Sequence, residues 1–236
     1  MTMMPYVVVH NAVSLDGALD WLVPEWPKFN ELLSTYYSRA AAFEEDATLC
    51  GSETILKAFE WDEGILEDAP AAPFEPADGD SRPLLVIPDS RGRVRIWRWL
   101  LSQPYWRAGV ALCSDSTPAD YLEYLDSQGI DHIVAGSGCV DLRAALLELN
   151  ARFGVDRLRV DSGGVLNGVL LSAGLVNEVS LMLVPVLVGR ETHSSLFRAP
   201  SGGGLSDLVD VRLKSVEQLE KDMLWLRYDV LSNPLT

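Results

Sequence analysis

The chain has 236 residues, of which 48% are hydrophobic, and this is enough to bury one large core. We therefore expect a single domain over residues 1–236. The formal net charge of −15, from 19 basic and 34 acidic side chains, argues against nucleic-acid or anionic-membrane partners, because phosphate-rich surfaces attract clustered cations.

The cysteines, the histidines and the N-terminus narrow the class further. Cys50, Cys113 and Cys139 lie in or beside apolar runs and form no CxxC pair, so we predict buried thiols. The three histidines are scattered, and no metal site is expected. The first ten residues lack the basic segment and long apolar stretch of a signal peptide or a membrane span, so we expect the protein in the cytoplasm.

The first part of the chain alternates apolar runs with helical periodicity. The β-branched run 6–10 predicts a strand that ends in the loop SLDGALD, and apolar residues at helical spacing predict a helix over 29–45. A short strand at 47–50 and a helix over 52–59 follow. The Pro- and Asp-rich stretch 61–82 predicts a surface loop.

The rest of the chain continues this alternation until its last part. Strands are predicted at 83–88, 109–113, 130–136, 156–160 and 178–189, with helices at 117–128, 142–153 and 165–174. Two extended runs, 211–217 and 223–231, then predict an antiparallel hairpin. The order predicts an α/β fold with a central, mostly parallel sheet flanked by helices and closed by that C-terminal hairpin.

Two glycine turns follow predicted strands and open predicted helices. One contains Gly136, and the other is Asp161-Ser162-Gly163-Gly164. Glycine lets backbone approach a ligand closely, and a helix N-terminus attracts phosphate, so the pair predicts a dinucleotide site at the carboxyl edge of the sheet. The alternative is a pair of tight turns without a ligand, and the GxGxxG pattern is absent.

Four segments, NAVSLDG (11–17), EDATLCGSETI (45–55), LLVIPDSRGRVR (84–95) and RVDSGGVLNGVLLSAGLVNEVSLMLVPVLVG (159–189), resemble one family in order and spacing. They are similar to the reductase domain of the bifunctional riboflavin-biosynthesis deaminase/reductase, which has a dihydrofolate reductase-like fold. The last segment resembles its pattern V-E-G-G-G-x-L-N, then G-L-V-D-E, then P-x-L-x-G. No H-x-E precedes a P-C-x-x-C, so only a reductase step is expected.

The resemblance implies a homodimeric enzyme that uses NADPH to open the ribosyl group of a ribosylaminopyrimidine phosphate to a ribityl chain. The substrate would be 5-amino-6-(5-phosphoribosylamino)uracil or 2,5-diamino-6-ribosylamino-pyrimidinone 5′-phosphate. The implied cofactor contacts are Gly51, Thr54, Ser90, Arg91, Arg93, Gly136, Ser162, Gly163, Gly164, Val165 and Leu166. Ser90, Arg91 and Arg93 are expected at the adenosine 2′-phosphate, where a guanidinium suits a bidentate grip; the alternative is a solvated turn.

The SLDG loop carries the implied catalytic residue. Asp16 is expected to orient the substrate or relay a proton, and Asn11 and Ser14 to contact the substrate. A carboxyl that acts as an acid needs a raised pKa, and hence burial. The alternative is that Asp16 only forms the turn with Gly17.

Three departures from the family pattern keep other functions open. Ala18 replaces the lysine of SLDGK, Ser162 replaces the first glycine of the triplet, and Ala58 stands where an acid is expected. The alternatives are a reductase of this fold that acts on a different small carbonyl, imine or pterin-like substrate, and a non-catalytic nucleotide-binding protein.

Overall fold

A computed structural model describes residues 3–19, 21–60, 74, 77, 79–189, 195–198 and 208–231. The chain divides into two compact units that are interleaved in sequence. The first unit contains residues 3–5 and 45–158 of the described chain, and the second contains 6–44 and 159–231. The expectation of one domain over the whole chain stays a prediction.

The first unit alternates strands with helices. Its elements are β2 (Ala47–Leu49), α2 (Ser52–Glu60), β3 (Leu84–Pro88), α3 (Trp97–Ser102), β4 (Ala108–Cys113), α4 (Ala119–Gln128), β5 (Asp131–Val134) and α5 (Leu142–Phe153). Its strands are ordered β5-β4-β3-β2, and all three pairings are parallel. The core is apolar and includes Leu85, Ile87, Trp97, Ala111 and Leu125.

The second unit combines a parallel pair with an antiparallel hairpin. Its elements are β1 (Tyr6–Ser14), α1 (Phe29–Ala40), a short 3-10 helix (Ala41–Phe43), α6 (Gly164–Ser172), β7 (Glu178–Val184), β8 (Val211–Gln218), a 3-10 turn (Glu220–Asp222) and β9 (Leu224–Val230). The boundary between the units falls within strand β6 (Arg157–Val160). β1 pairs parallel with β7, whereas β9 pairs antiparallel with both β7 and β8. These pairings confirm the α/β fold with parallel strands and a closing hairpin.

Most element positions agree with the sequence predictions, and four findings differ. β1 extends to Ser14 instead of residue 10, because its residues Val8–Ser14 stay in register with Glu178–Val184. β7 ends at Val184, before Pro185, which has no N–H to donate to a ladder. Helix α3 was not predicted, since six residues are too few for a clear helical period. Cys139 is exposed, whereas Cys50 and Cys113 are buried as expected.

Three further observations bear on the expected class of protein. Most of the predicted loop 61–82, including 61–73, lies outside the described residues. No described helix combines the length and apolar character that a bilayer crossing requires. Within the described ranges, no three histidine, cysteine or acidic side chains are grouped as ligands for a metal ion.

Candidate active site

In the first unit, Ser90 connects two strand ends at the carboxyl edge of the parallel strands. It follows β3, and its Oγ accepts a hydrogen bond of 3.0 Å from the Val140 N–H, in the turn after β5. The Thr117 hydroxyl donates to the Ser90 carbonyl at 3.1 Å. The loop after β3 and the turn after β5 therefore meet at this edge, although β4 lies between the two strands.

The two arginines that were predicted at a 2′-phosphate differ in their surroundings. The Arg93 guanidinium donates to Ser52 Oγ at 2.9 Å and pairs with Glu53 at 3.4 Å. Arg91 is exposed and has no hydrogen bond or ion pair within the described chain. Arg91 is thus the more available cation, whereas an incoming phosphate at Arg93 would meet the Glu53 carboxylate.

The other predicted contacts in this unit are defined mainly by the backbone. Gly51 follows β2 and is half-buried, and its carbonyl accepts from the Ile55 N–H at 3.1 Å. Thr54 is half-buried in the first turn of α2. Gly136 has a φ of +91°, and a Cβ there would collide with the Cys139 carbonyl. The turn itself therefore requires this glycine.

In the second unit, the predicted glycine turn leads into helix α6. Ser162 is buried, Gly163 is the extended N-cap residue, and α6 begins at Gly164 with no side chain capping it. Val165 is 59% exposed, and Leu166 is half-buried. The first-turn N–H groups of a helix lack intrahelical partners and attract anions.

The close approach that glycine permits at this helix is made by the chain itself. A Cβ on Gly164 would collide with the Ser195 carbonyl, and a Cβ on Gly168 would collide with the backbone of Arg198. The Arg198 N–H donates to the Gly164 carbonyl at 2.8 Å. The predicted reason for Gly164, approach to a ligand, is therefore replaced by packing against Ser195–Arg198.

Two buried amides connect strand β1 to the glycine turn. Asn11 donates to the Ser162 carbonyl at 3.0 Å, and Asn167 on α6 donates to Asn11 Oδ1 at the same distance. Asn11 is 5% exposed, and Asn167 is fully buried. The side-chain amide of Asn11 is thus hydrogen-bonded within the protein, and its predicted contact with the substrate stays a prediction.

The SLDG loop is held by its own polar groups. Ser14 is fully buried, and its hydroxyl donates to Asp16 Oδ1 at 2.6 Å. Asp16 also accepts from the N–H groups of Val188 and Gly189, at 3.1 and 2.9 Å. The Gly189 N–H and the Ser14 hydroxyl lower the pKa of Asp16 below its ordinary value. This is the opposite of the raised pKa that a proton donor needs, and the turn at Gly17, with φ +78°, fits the alternative role.

Sequence reasoning missed Asn167 and the segment Ser195–Arg198. Asn167 is the asparagine of the quoted L-N pattern, so a signal was present, but its role depends on contacts with residues far away in sequence. No local pattern marks the segment, which carries no glycine or charge cluster.

The matches to known proteins agree with this architecture. A family model described as the RibD C-terminal domain matches residues 5–225. The chain belongs to this family. A solved pyrimidine reductase-like protein from Corynebacterium diphtheriae has a TM-score of 0.69 at 18% identity, covering 97% of this chain and 93% of that one. At such identity the likeness shows the fold alone.

Two curated relatives extend over almost the whole chain. A 2,5-diamino-6-ribosylamino-4(3H)-pyrimidinone 5′-phosphate reductase from Methanothermobacter thermautotrophicus is 28% identical over 94% of this chain and 97% of its own. One of the same name from Aquifex aeolicus is 27% identical over 89% of this chain and 90% of its own. Both names support an oxidoreductase of riboflavin biosynthesis, and the family suggests a nucleotide cofactor.

Proposed function

We propose that this chain is an NADPH-dependent reductase of 2,5-diamino-6-ribosylamino-4(3H)-pyrimidinone 5′-phosphate. In this reaction the nicotinamide supplies a hydride and the medium a proton, and the ribosyl group becomes an open ribityl chain. The relatives of this name cover the chain almost from end to end. The geometric observation that carries the proposal is the start of α6, which follows strand β6 and has no side-chain cap.

In the second unit, the proposed phosphate contacts are the backbone N–H groups of the α6 turn. Those groups belong to Ser162, Gly163, Gly164, Val165 and Leu166. Because the Cα side of Gly164 is filled by the Ser195 carbonyl, this glycine acts through its N–H alone. The partial positive charge of the helix end adds to the attraction.

In the first unit, we propose nucleotide contacts at Gly51, Thr54, Ser90, Arg91, Arg93 and Gly136. Arg91 is the proposed 2′-phosphate ligand, since it is exposed and unpaired within the described chain. Arg93 is oriented by Ser52 and partly neutralised by Glu53. A guanidinium that is free to form two parallel hydrogen bonds binds phosphate more strongly than one already in use.

Asp16, Asn11 and Ser14 are proposed to act by shaping the substrate side. All three side chains are hydrogen-bonded within the second unit, and Asp16 is the most accessible of them. As a carboxylate, Asp16 is an acceptor that can orient a substrate hydroxyl while it holds the Val188–Gly189 backbone. The proton for the reaction then comes from a group other than Asp16.

The experiment that tests the cofactor site uses two substitutions of Gly163. Asp and Asn both suit a helix N-cap, and the φ of −77° at this position is open to any residue, so both variants should fold. Only Asp adds a negative charge at the proposed phosphate site. We expect Gly163→Asp to weaken NADPH binding tenfold or more, about 1.4 kcal/mol, and Gly163→Asn to weaken it much less.

Binding is followed by energy transfer from the seven tryptophans to the nicotinamide, with NADH titrated in parallel. Turnover of the pyrimidinone phosphate is followed by the loss of nicotinamide absorbance. If both variants bind NADPH with equal affinity, the proposal of a phosphate site at the start of α6 is wrong. Binding without turnover would favour a different substrate for the same fold.

We also propose a homodimer located in the cytoplasm. All eight residues of β8 are exposed, among them Val211, Leu213 and Val216, and β8 is the last strand in the order of its sheet. An exposed apolar edge strand is a surface that a second copy can cover. Sedimentation velocity of the purified chain measures the mass directly, and a monomer at micromolar concentration would contradict the proposal.

A further inference from the structure

Asn167 is a fully buried amide in the second turn of α6. Burying an amide is unfavourable unless its hydrogen-bonding groups find partners. The partners that a buried amide has therefore indicate which parts of the molecule it holds together.

The Nδ2 atom of Asn167 has three acceptors from three separate segments. They are Asn11 Oδ1 on β1 at 3.0 Å, the Leu196 carbonyl at 3.1 Å and the Ser162 carbonyl at 3.3 Å. A primary amide has two N–H groups, so three acceptors share them. Rotating the amide by 180° would place Oδ1 against three oxygens, which fixes its orientation.

The oxygen atom of the Asn167 amide does not connect any of these segments. Oδ1 of Asn167 is buried and has no hydrogen-bond partner among the described residues. A buried acceptor without a donor is unfavourable, and an apolar side chain of similar volume would avoid that loss. The donor half must therefore account for an asparagine at this position.

The segment Ser195–Arg198 is seated on the same helix on both sides of Asn167. The Arg198 N–H is bonded to the Gly164 carbonyl, and the two glycines at 164 and 168 leave room only for backbone. Asn167 lies between these glycines in sequence and holds the Leu196 carbonyl. A single side chain thus connects the segment, β1 and the glycine turn.

We propose that Asn167 is a positioning residue for the proposed reduction. Its amide fixes the Ser162 carbonyl, and with it the direction of the N–H groups at the start of α6, while it keeps Ser195–Arg198 against the helix. This inference rests on the proposed function, because those N–H groups are the proposed phosphate contacts. Small displacements of such groups have large effects on binding and rate.

The test compares Asn167→Leu with Leu170→Ala, a matched change on the same helix. Leu170 is also fully buried but is apolar, so its truncation disturbs packing without removing a hydrogen bond. Both variants are studied at a temperature at which circular dichroism shows them folded. One readout is amide hydrogen exchange in Leu196–Arg198, and the other is the KM for NADPH together with kcat.

For Asn167→Leu we expect exchange in Leu196–Arg198 to accelerate about tenfold or more, and the KM for NADPH to rise about tenfold. For Leu170→Ala we expect the KM and the exchange of this segment to stay within about twofold of the parent. A purely structural role would instead leave the KM for NADPH unchanged in both variants, because both are folded at the temperature of the assay.

Each outcome decides one part of the inference. Unchanged exchange in Asn167→Leu overturns the tie to Ser195–Arg198, whatever the activity. Faster exchange with an unchanged KM overturns the positioning role. If the parent chain neither binds NADPH nor turns over the pyrimidinone phosphate, the proposed function fails, and the exchange measurement still decides whether Asn167 holds the segment.

Discussion

The interiors of the two units differ in polarity. The first unit packs an apolar cluster around Leu85, Ile87 and Trp97, and its buried polar side chains are small or lie at strand ends. The second unit buries whole titratable or amide groups, namely His10, Asn11, Arg159, Asn167 and Glu178. The stability of an apolar core varies little with pH, whereas a buried polar group is stabilised only while all its hydrogen-bond partners are in place. Substitutions and pH should therefore act more strongly on the second unit.

The largest expected effect comes from Glu178, whose carboxylate is fully buried. It accepts from Arg227 Nε and Lys214 Nζ, both at 2.5 Å, and from the Tyr6 hydroxyl at 3.1 Å. Burial raises the pKa of Glu178, but the bonds from Arg227 and Lys214 outweigh this and leave the pKa lowered. We expect Glu178→Leu to lower the free energy of unfolding by about 3–5 kcal/mol in urea denaturation.

A double variant tests how much of the loss of stability comes from leaving a buried cation without its partner. In Glu178→Leu with Arg227→Leu, the more buried of the two cations no longer lacks its partner, so most of the stability should return. If the single variant is no less stable than the double variant, the pair of charges is not what holds β7 and β9 together at this point.

The next effect is a pH dependence that His10 gives to the second unit. Burial, with a contribution from the positive charge of Arg159, lowers the pKa of His10 from 6.5 to about 4. Between these values the unfolded chain binds a proton that the folded chain does not, so stability falls as the pH falls through this window. The expected loss is on the order of 3 kcal/mol between pH 7 and pH 4.

The hydrogen bonds of His10 are compatible with the neutral ring that burial favours. Trp225 Nε1 donates to Ser180 Oγ at 2.8 Å, and Ser180 Oγ lies 2.9 Å from His10 Nδ1. This serine can donate to Nδ1, which leaves Nε2–H facing the Tyr36 carbonyl at 3.4 Å. We expect His10→Gln to flatten the pH dependence of urea midpoints between pH 4 and 6.5, and an unchanged slope would assign it to other groups.

The alternation of strands and helices could be predicted because it depends on local spacing. Apolar residues at a period of 3.6 or in short β-branched runs define α1, α5, β3 and β4 without knowledge of the partners. Helix α3 was missed because it is short, and the end of β1 because its last residues are defined by pairing with β7.

The candidate site could be predicted only in part, for a related reason. The sequence shows that backbone comes close at Gly164, but not that the Ser195 carbonyl is what approaches it. Asn11 and Asn167 are 156 residues apart, and no local pattern reports a hydrogen bond over such a distance. The pKa of Asp16 likewise depends on the Gly189 N–H, which the SLDG pattern does not contain.

The smallest expected effect comes from adding a single methyl group to the apolar core of the first unit. A Cβ on Gly109 in β4 would lie 2.6 Å from the ring of Trp97, which is fully buried and has no free direction in which to move. We expect Gly109→Ala to lower the free energy of unfolding by about 1–3 kcal/mol. Since no titratable group is involved, the loss should be the same at pH 5 and pH 7.

Gly138→Ala is the matched control, because nothing lies within 4 Å of its Cβ. If the loss of stability in Gly109→Ala varies with pH, the interior of the first unit is coupled to charged groups. The contrast between the two interiors would then not hold.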